Sequence, residues 1–230
     1  MSISVIIPAA GLGERMGGPV SKQFLPLHGK PIIIHTLERF QTCPEIDDII
    51  IAASSPVIPQ LELLVKDYCL DKVHRIVEGG ARRQDSVWNA FLSLPSSVEI
   101  VLVHDAVRPF IKRSIILESI RKAQTWSAAV VAVPVKHTVK ISTRKDFVSS
   151  TAPRASFWLA QTPQTFRAEV LRKGFEYAQQ TGAEVTDDAS LVEMIGIEPA
   201  IVPGSYDNIK ITTPDDLENA EIIARRFIDK

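Results

Sequence analysis

Cysteine is scarce, with Cys43 and Cys69 the two present in 230 residues. Two cysteines make no disulfide framework, which fits a reducing compartment. Net charge is also close to absent, since 26 Lys+Arg stand against 27 Asp+Glu for a balance of -1. A chain this neutral lacks the basic surface that a nucleic-acid polymer or an anionic membrane selects. The five histidines fall at no ligand spacing, which argues against a structural zinc site. No apolar run reaches the length of a membrane span. The first residues read as a strand and not as a charged region followed by an apolar one, so no secretory signal is expected. These absences leave a cytoplasmic enzyme or binding protein, with no nucleic-acid or membrane partner.

What the chain does have is alternation. Val5 to Ile7, Ile49 to Ala53, Val73 to Val77, Ile100 to Val103 and Ala128 to Val133 are short, nearly continuous apolar runs. Such runs suit parallel strands covered on both faces. Amphipathic stretches lie between them: Pro31 to Phe40, Pro59 to Tyr68, Asp85 to Leu94 and Arg113 to Trp126. In the third, Val87, Trp88, Phe91 and Leu92 recur at helical spacing. The order predicts an α/β fold with one doubly wound, mostly parallel, Rossmann-like sheet, making a single domain over residues 1–230. Thr213-Pro214-Asp215-Asp216 predicts the start of a last helix, with Leu217, Ala220, Ala224 and Phe227 as its buried stripe. Residues 134–161 break the pattern, because strand-like pieces follow one another around a polar turn near Thr143 to Asp146 with no helix between them. They predict a protruding antiparallel β-arm. A two-stranded ribbon is marginal in water unless it packs on something, so the arm is expected to make a homodimer; folding back on its own domain is the alternative.

Four clusters carry chemistry. The first strand ends at Pro8 and runs into Ala9-Ala10-Gly11-Leu12-Gly13-Glu14-Arg15-Met16-Gly17-Gly18, with Lys22 shortly after. Glycines let backbone N–H groups approach a triphosphate, and Arg15 and Lys22 add two fixed cations. No Gly-Lys-Ser/Thr follows as in a P-loop, and Met16 stands where a dinucleotide fingerprint needs its third glycine. An ordinary strand-to-helix turn is the bland alternative. In the second cluster, Glu78 to Ser86, Gly80 would let the main chain pack on a planar ring and Ser86 would donate to a base or ribose; simple helix capping by Asp85 or Ser86 is the alternative. The third is His104-Asp105-Ala106-Val107-Arg108-Pro109, where a carboxylate at a strand end is a natural Mg²⁺ ligand unless Asp105 merely pairs with Arg108. In the fourth, Gly204 to Thr212, Asp207 would share the metal and Lys210 would neutralise a phosphate, both facing one crevice.

Taken in order, Pro8 to Gly17, Lys22-Gln23, Gly79-Gly80 through Ser86-Val87, His104 to Pro109, Gln161-Thr162-Pro163-Gln164, Thr186 to Ser190 and Asp207 to Lys210 resemble the 2-C-methyl-D-erythritol 4-phosphate cytidylyltransferases of the non-mevalonate isoprenoid pathway. The resemblance spans essentially the whole chain. It implies transfer of a cytidylyl group from CTP to a polyol phosphate with Mg²⁺, releasing pyrophosphate. Arg15, Lys22, Asp207 and Lys210 match the residues at the reacting phosphates, and Gly11 and Gly13 the triphosphate loop. Ala9, Ala10, Gly80 and Ser86 match the cytosine and ribose contacts, and Asp105 the metal ligand. Thr138 and Arg154 match arm residues reaching the acceptor in the partner subunit, while Arg108, Thr162 and Thr186 fall near the same acceptor. Two other readings stand beside it: a cytidylyltransferase for another polyol phosphate such as ribitol 5-phosphate, and a non-catalytic nucleotide-binding module.

Overall fold

A computed structural model of the chain describes residues 1–11 and 21–228. Its first strand, β1 (Ser2–Pro8), shows why the apolar runs are continuous. Ile3, Val5 and Ile7 pack into one layer while Ile6 packs into the other, so side chains pointing both ways are buried. A short hairpin of β2 (Pro26–Leu27) and β3 (Lys30–Pro31) leads into α1 (Ile32–Gln41). Then come β4 (Asp48–Ala53), α2 (Ile58–Asp67), β5 (Val73–Glu78), α3 (Arg83–Leu92), β6 (Val98–Val103), α4 (Arg113–Trp126) and β7 (Ala128–Pro134). The predicted strands and helices are found within a few residues of these bounds. Leu92 is the exception in the buried stripe of α3, being 56% exposed, whereas Val87 and Phe91 are buried.

Beyond β7 the chain makes the arm, in which β8 (Lys140–Ile141) pairs antiparallel with β9 (Ser150–Thr151) and Arg144 bridges to Phe147. The arm is narrower than residues 134–161. Pro134 closes β7, and Trp158 already begins β10 (Trp158–Arg167), which belongs to the main sheet. The chain ends through α5 (Ala168–Thr181), α6 (Ala189–Glu193), β11 (Ala200–Pro203) and α7 (Pro214–Ile228). Thr213 caps α7 as predicted: its hydroxyl accepts the Asp216 N–H at 3.3 Å, and the Asp216 carboxylate accepts the N–H groups of Thr212 and Thr213.

The seven-stranded sheet runs β11-β7-β10-β6-β1-β4-β5. All neighbours are parallel except β10, which is antiparallel to both β6 and β7. One apolar layer joins the sheet to α1, α2 and α4, and the other joins it to α3, α5 and α6. A third cluster seats α7 against Leu27, Val107 and Phe110. Among the described residues no helix is long and apolar enough to cross a membrane.

Candidate active site

The carboxyl ends of β6, β1, β4 and β5, parallel neighbours in that order, form one edge of the sheet, and in an open α/β sheet that edge is where ligands bind. Two cavities open there. Ala9, Ala10, Gly11, Lys22, Gly80 and Ser86 border the first. Arg108, Thr162 and Thr186 border the second, together with Gln161, Gln164 and Asp187. Arg83, Asp105 and Lys210 border both. Gly13 and Arg15 lie outside the described residues.

The wall of the first cavity is built by the turn from β5 into α3. The Asp85 carboxylate accepts the Arg82 N–H at 3.1 Å at the start of α3, and the Ser86 hydroxyl accepts the Gly80 N–H at 3.0 Å while it donates to the Arg82 carbonyl at 3.1 Å. Asp85 thus has a capping contact, while Ser86 braces the turn at Gly80 and borders the cavity. A side chain at position 80 would collide with Asp85, so glycine is required by close approach and not by φ. On the opposite side the buried Gln23 amide donates to the Ala9 carbonyl at 2.9 Å, tying the segment that carries Lys22 to the end of β1.

Asp105 follows β6 directly and is the hub between the cavities. Its Oδ2 lies 3.1 Å from Arg108 Nε and 3.0 Å from Lys210 Nζ, and its Oδ1 lies 3.4 Å from Arg83 Nε. Sequence reasoning preferred a metal to an ion pair at this carboxylate; the structure shows the pair with Arg108 and two further cations. Burial opposes the charge on Asp105, yet Lys210, Arg83 and Arg108 together hold its carboxyl well below the usual range. Arg83 also reaches Asp188, with Nη2 at 2.7 Å from Oδ2. Within this cluster three cations stand against two carboxylates, a formal balance of one positive charge.

Asp207 does not join this group. It borders neither cavity, although Lys210 three residues on borders both. The bend is held by Asn208, whose buried side-chain amide donates to Gln161 Oε1 and to the Thr162 carbonyl while its backbone carbonyl accepts from Arg108. Thr138 and Arg154 stand on the arm, exposed, and border neither cavity of their own chain; Arg154 donates to the Lys136 carbonyl at 2.8 Å.

Behind Asp105 sits His104, fully buried and edge-on to Phe40 at 4.9 Å between centroids. Burial pushes its pKa down to about 4, so the ring is neutral. Sequence reasoning gave no role to His104, Arg83, Asp188 or Gln164. Arg83 stands inside a motif that was singled out, but only the packing of α3 against β1 and β4 brings it to Asp105.

A family model described as 2-C-methyl-D-erythritol 4-phosphate cytidylyltransferase, IspD, matches residues 3–226. The chain is 45% identical over 224 residues to the protein of that description from Geotalea uraniireducens, spanning 96% of each chain. It is 46% identical over 221 residues to the one from Symbiobacterium thermophilum, spanning 96% of this chain and 92% of the relative. A crystal structure of 4-diphosphocytidyl-2C-methyl-D-erythritol synthase from Anaerococcus prevotii superposes with a TM-score of 0.86 at 31% identity, spanning 98% of this chain and 99% of that one.

Proposed function

Because the chain belongs to the 2-C-methyl-D-erythritol 4-phosphate cytidylyltransferase family, we propose that its two cavities hold the two substrates and that the cluster around Asp105 joins their reacting phosphates. The enzyme converts CTP and 2-C-methyl-D-erythritol 4-phosphate to 4-diphosphocytidyl-2-C-methyl-D-erythritol and pyrophosphate. What supports the division of sites is that Arg83, Asp105 and Lys210 border both cavities.

On this reading CTP lies in the first cavity, its base and ribose along Ala9, Ala10, Gly80 and Ser86, with Gly11, Gly13, Arg15 and Lys22 around the triphosphate. Ser86 meets the nucleotide through its one remaining lone pair, because its proton goes to the Arg82 carbonyl and its other lone pair accepts the Gly80 N–H. The acceptor lies in the second cavity against Arg108, Thr162 and Thr186. An oxygen of its phosphate attacks the α-phosphorus and the new O–P bond forms. The bond to the bridging oxygen breaks, and its electron pair leaves with pyrophosphate. The acceptor phosphate is already ionised, so no base is needed; the barrier is the approach of anions, which Lys22, Arg15 and Lys210 lower by fixed charge and alignment.

Magnesium is the expected cofactor, and the described carboxylates do not fit a seat for it. Both oxygens of Asp105 face cations, Asp207 borders neither cavity, and no group of three metal-binding side chains occurs among the described residues. Mg²⁺ commonly keeps water and substrate phosphate oxygens as most of its ligands. No step above runs through it.

The arm carries Ile141, Phe147, Val148 and Phe157 exposed, and this apolar surface supports a homodimer in which Thr138 and Arg154 reach the partner subunit's acceptor cavity. The soluble, charged substrates and the free thiols of Cys43 and Cys69 support a cytoplasmic setting. The test is pyrophosphate release from CTP and Mg²⁺ with methylerythritol 4-phosphate, and with ribitol 5-phosphate in parallel. Release with the first acceptor that falls by two orders of magnitude or more in Lys210→Ala supports the shared cluster. Unchanged release in that variant overturns it.

A further inference from the structure

Beside Asp105 three hydrogen bonds share a fixed direction. His104 Nε2 lies 3.0 Å from the Arg108 carbonyl oxygen, which can only accept, so Nε2 carries the ring proton. The ring is fully buried and meets a carbonyl and a hydroxyl, with no carboxylate paired to either nitrogen, so it is neutral and Nδ1 is a lone pair. Nδ1 lies 3.1 Å from Thr162 Oγ1, so the hydroxyl donates to the ring. The same oxygen accepts the Asp105 N–H at 3.0 Å. A hydroxyl has one proton and two lone pairs. The proton and one lone pair are thus committed, and a single lone pair remains on a side chain that borders the second cavity. The backbone of Thr162 is held as well, because its carbonyl accepts from Asn208 at 2.9 Å.

We propose that His104 is a positioning residue for the transfer reaction: by taking the hydroxyl proton of Thr162 it makes that oxygen an acceptor only, matched to a hydroxyl of the polyol and mismatched to phosphate oxygen. A phosphate oxygen placed against Thr162 would meet lone pair with lone pair. The phosphate is thereby directed to Arg108, Arg83 and Lys210, which offer only donors, and the carbon chain to Thr162. One element sorts the two ends of the acceptor. This inference rests on the second cavity being the acceptor's, as proposed above.

The test couples a protein change to a substrate change. Thr162→Val is assayed with the normal acceptor and with acceptors lacking one hydroxyl each. The expected result is a rise of about 3- to 10-fold in KM for the normal acceptor, with KM for CTP unmoved, and no further rise for the one deoxy acceptor whose missing hydroxyl met Thr162. Thr162→Ser, which keeps a hydroxyl, has the smaller effect. His104→Phe, which keeps a ring but no nitrogen, raises the same KM by releasing the hydroxyl proton toward the cavity. Should that variant not fold, nitrogen NMR of the wild-type imidazoles decides the relay. It predicts one neutral histidine protonated at Nε2 whose Nδ1 signal moves in Thr162→Val. An Nδ1–H tautomer, or equal losses for every deoxy acceptor, overturns the proposal. If wild-type enzyme shows no acceptor-dependent pyrophosphate release, it is the assignment of the cavities that fails instead.

Discussion

Arg83 and Asp188 meet at 2.7 Å beneath the second cavity, the arginine side chain 30% exposed and the aspartate 1%. The aspartate belongs to the start of α6 and the arginine to the first turn of α3, so the pair ties two helices together under the residues that border both cavities. Removing one partner of a buried pair leaves the other charge uncompensated. Asp188→Asn is expected to lower unfolding stability by about 3 kcal/mol and to raise KM for CTP, since Arg83 loses its anchor. Urea unfolding beside steady-state kinetics checks both, and an unchanged KM would remove Arg83 from the nucleotide site.

Asp105→Asn separates ligand from hub. As a hub, Asp105 aligns Arg83, Arg108 and Lys210, so its amide should lower kcat while the magnesium concentration for half-maximal rate stays where it was. A magnesium midpoint that climbs several-fold would restore the carboxylate to the metal.

Lys22→Ala and Arg15→Ala should each slow turnover by about 10²- to 10³-fold, with much smaller changes in CTP binding, because fixed donors act most where charge develops. Single-turnover pyrophosphate release, compared with CTP affinity measured without acceptor, distinguishes this from a simple binding loss.

His104 sets a pH dependence of stability. Its pKa falls from an ordinary 6.5 to about 4 in the folded chain. As pH drops below 6.5 the unfolded chain takes up a proton that the folded ring refuses, so stability declines until about pH 4, where the folded ring protonates too. The loss from this one group reaches at most about 3 kcal/mol. Denaturant titrations at stepped pH should show the decline flattened in His104→Gln; the same slope in both proteins would place the ring's proton elsewhere.

Much of the frame was legible because β1, β4 and β6 are buried on both faces and read as unbroken apolar runs. β10 was not, for a physical reason. Gln161, Thr162, Gln164 and Thr165 are all buried, yet polar, and their partners lie far along the chain: Ser205, His104, Asp187 and Ser119. A strand satisfied by hydrogen bonds leaves no hydrophobic pattern. α5 did leave one, in Val170, Leu171, Phe175 and Ala178 at helical spacing, and it passed unnamed. At the site, motif order singled out the glycines and alanines that border the first cavity. The meeting of Arg83, Arg108 and Lys210 on one carboxylate was not, since their spacing along the chain says nothing of which strand ends adjoin.

β10 has one more consequence. Its ladder with β7 stops at Ala160 and resumes at Gln164, and its ladder with β6 starts only at Gln164. Residues 161–163 therefore pair with neither neighbour, and Gln161 and Thr162 border the second cavity from within that gap. In that gap the wall of the second cavity is held by side-chain hydrogen bonds and not by ladder pairing, so substitutions at His104 or Asn208 are expected to reshape it while the architecture around them stands.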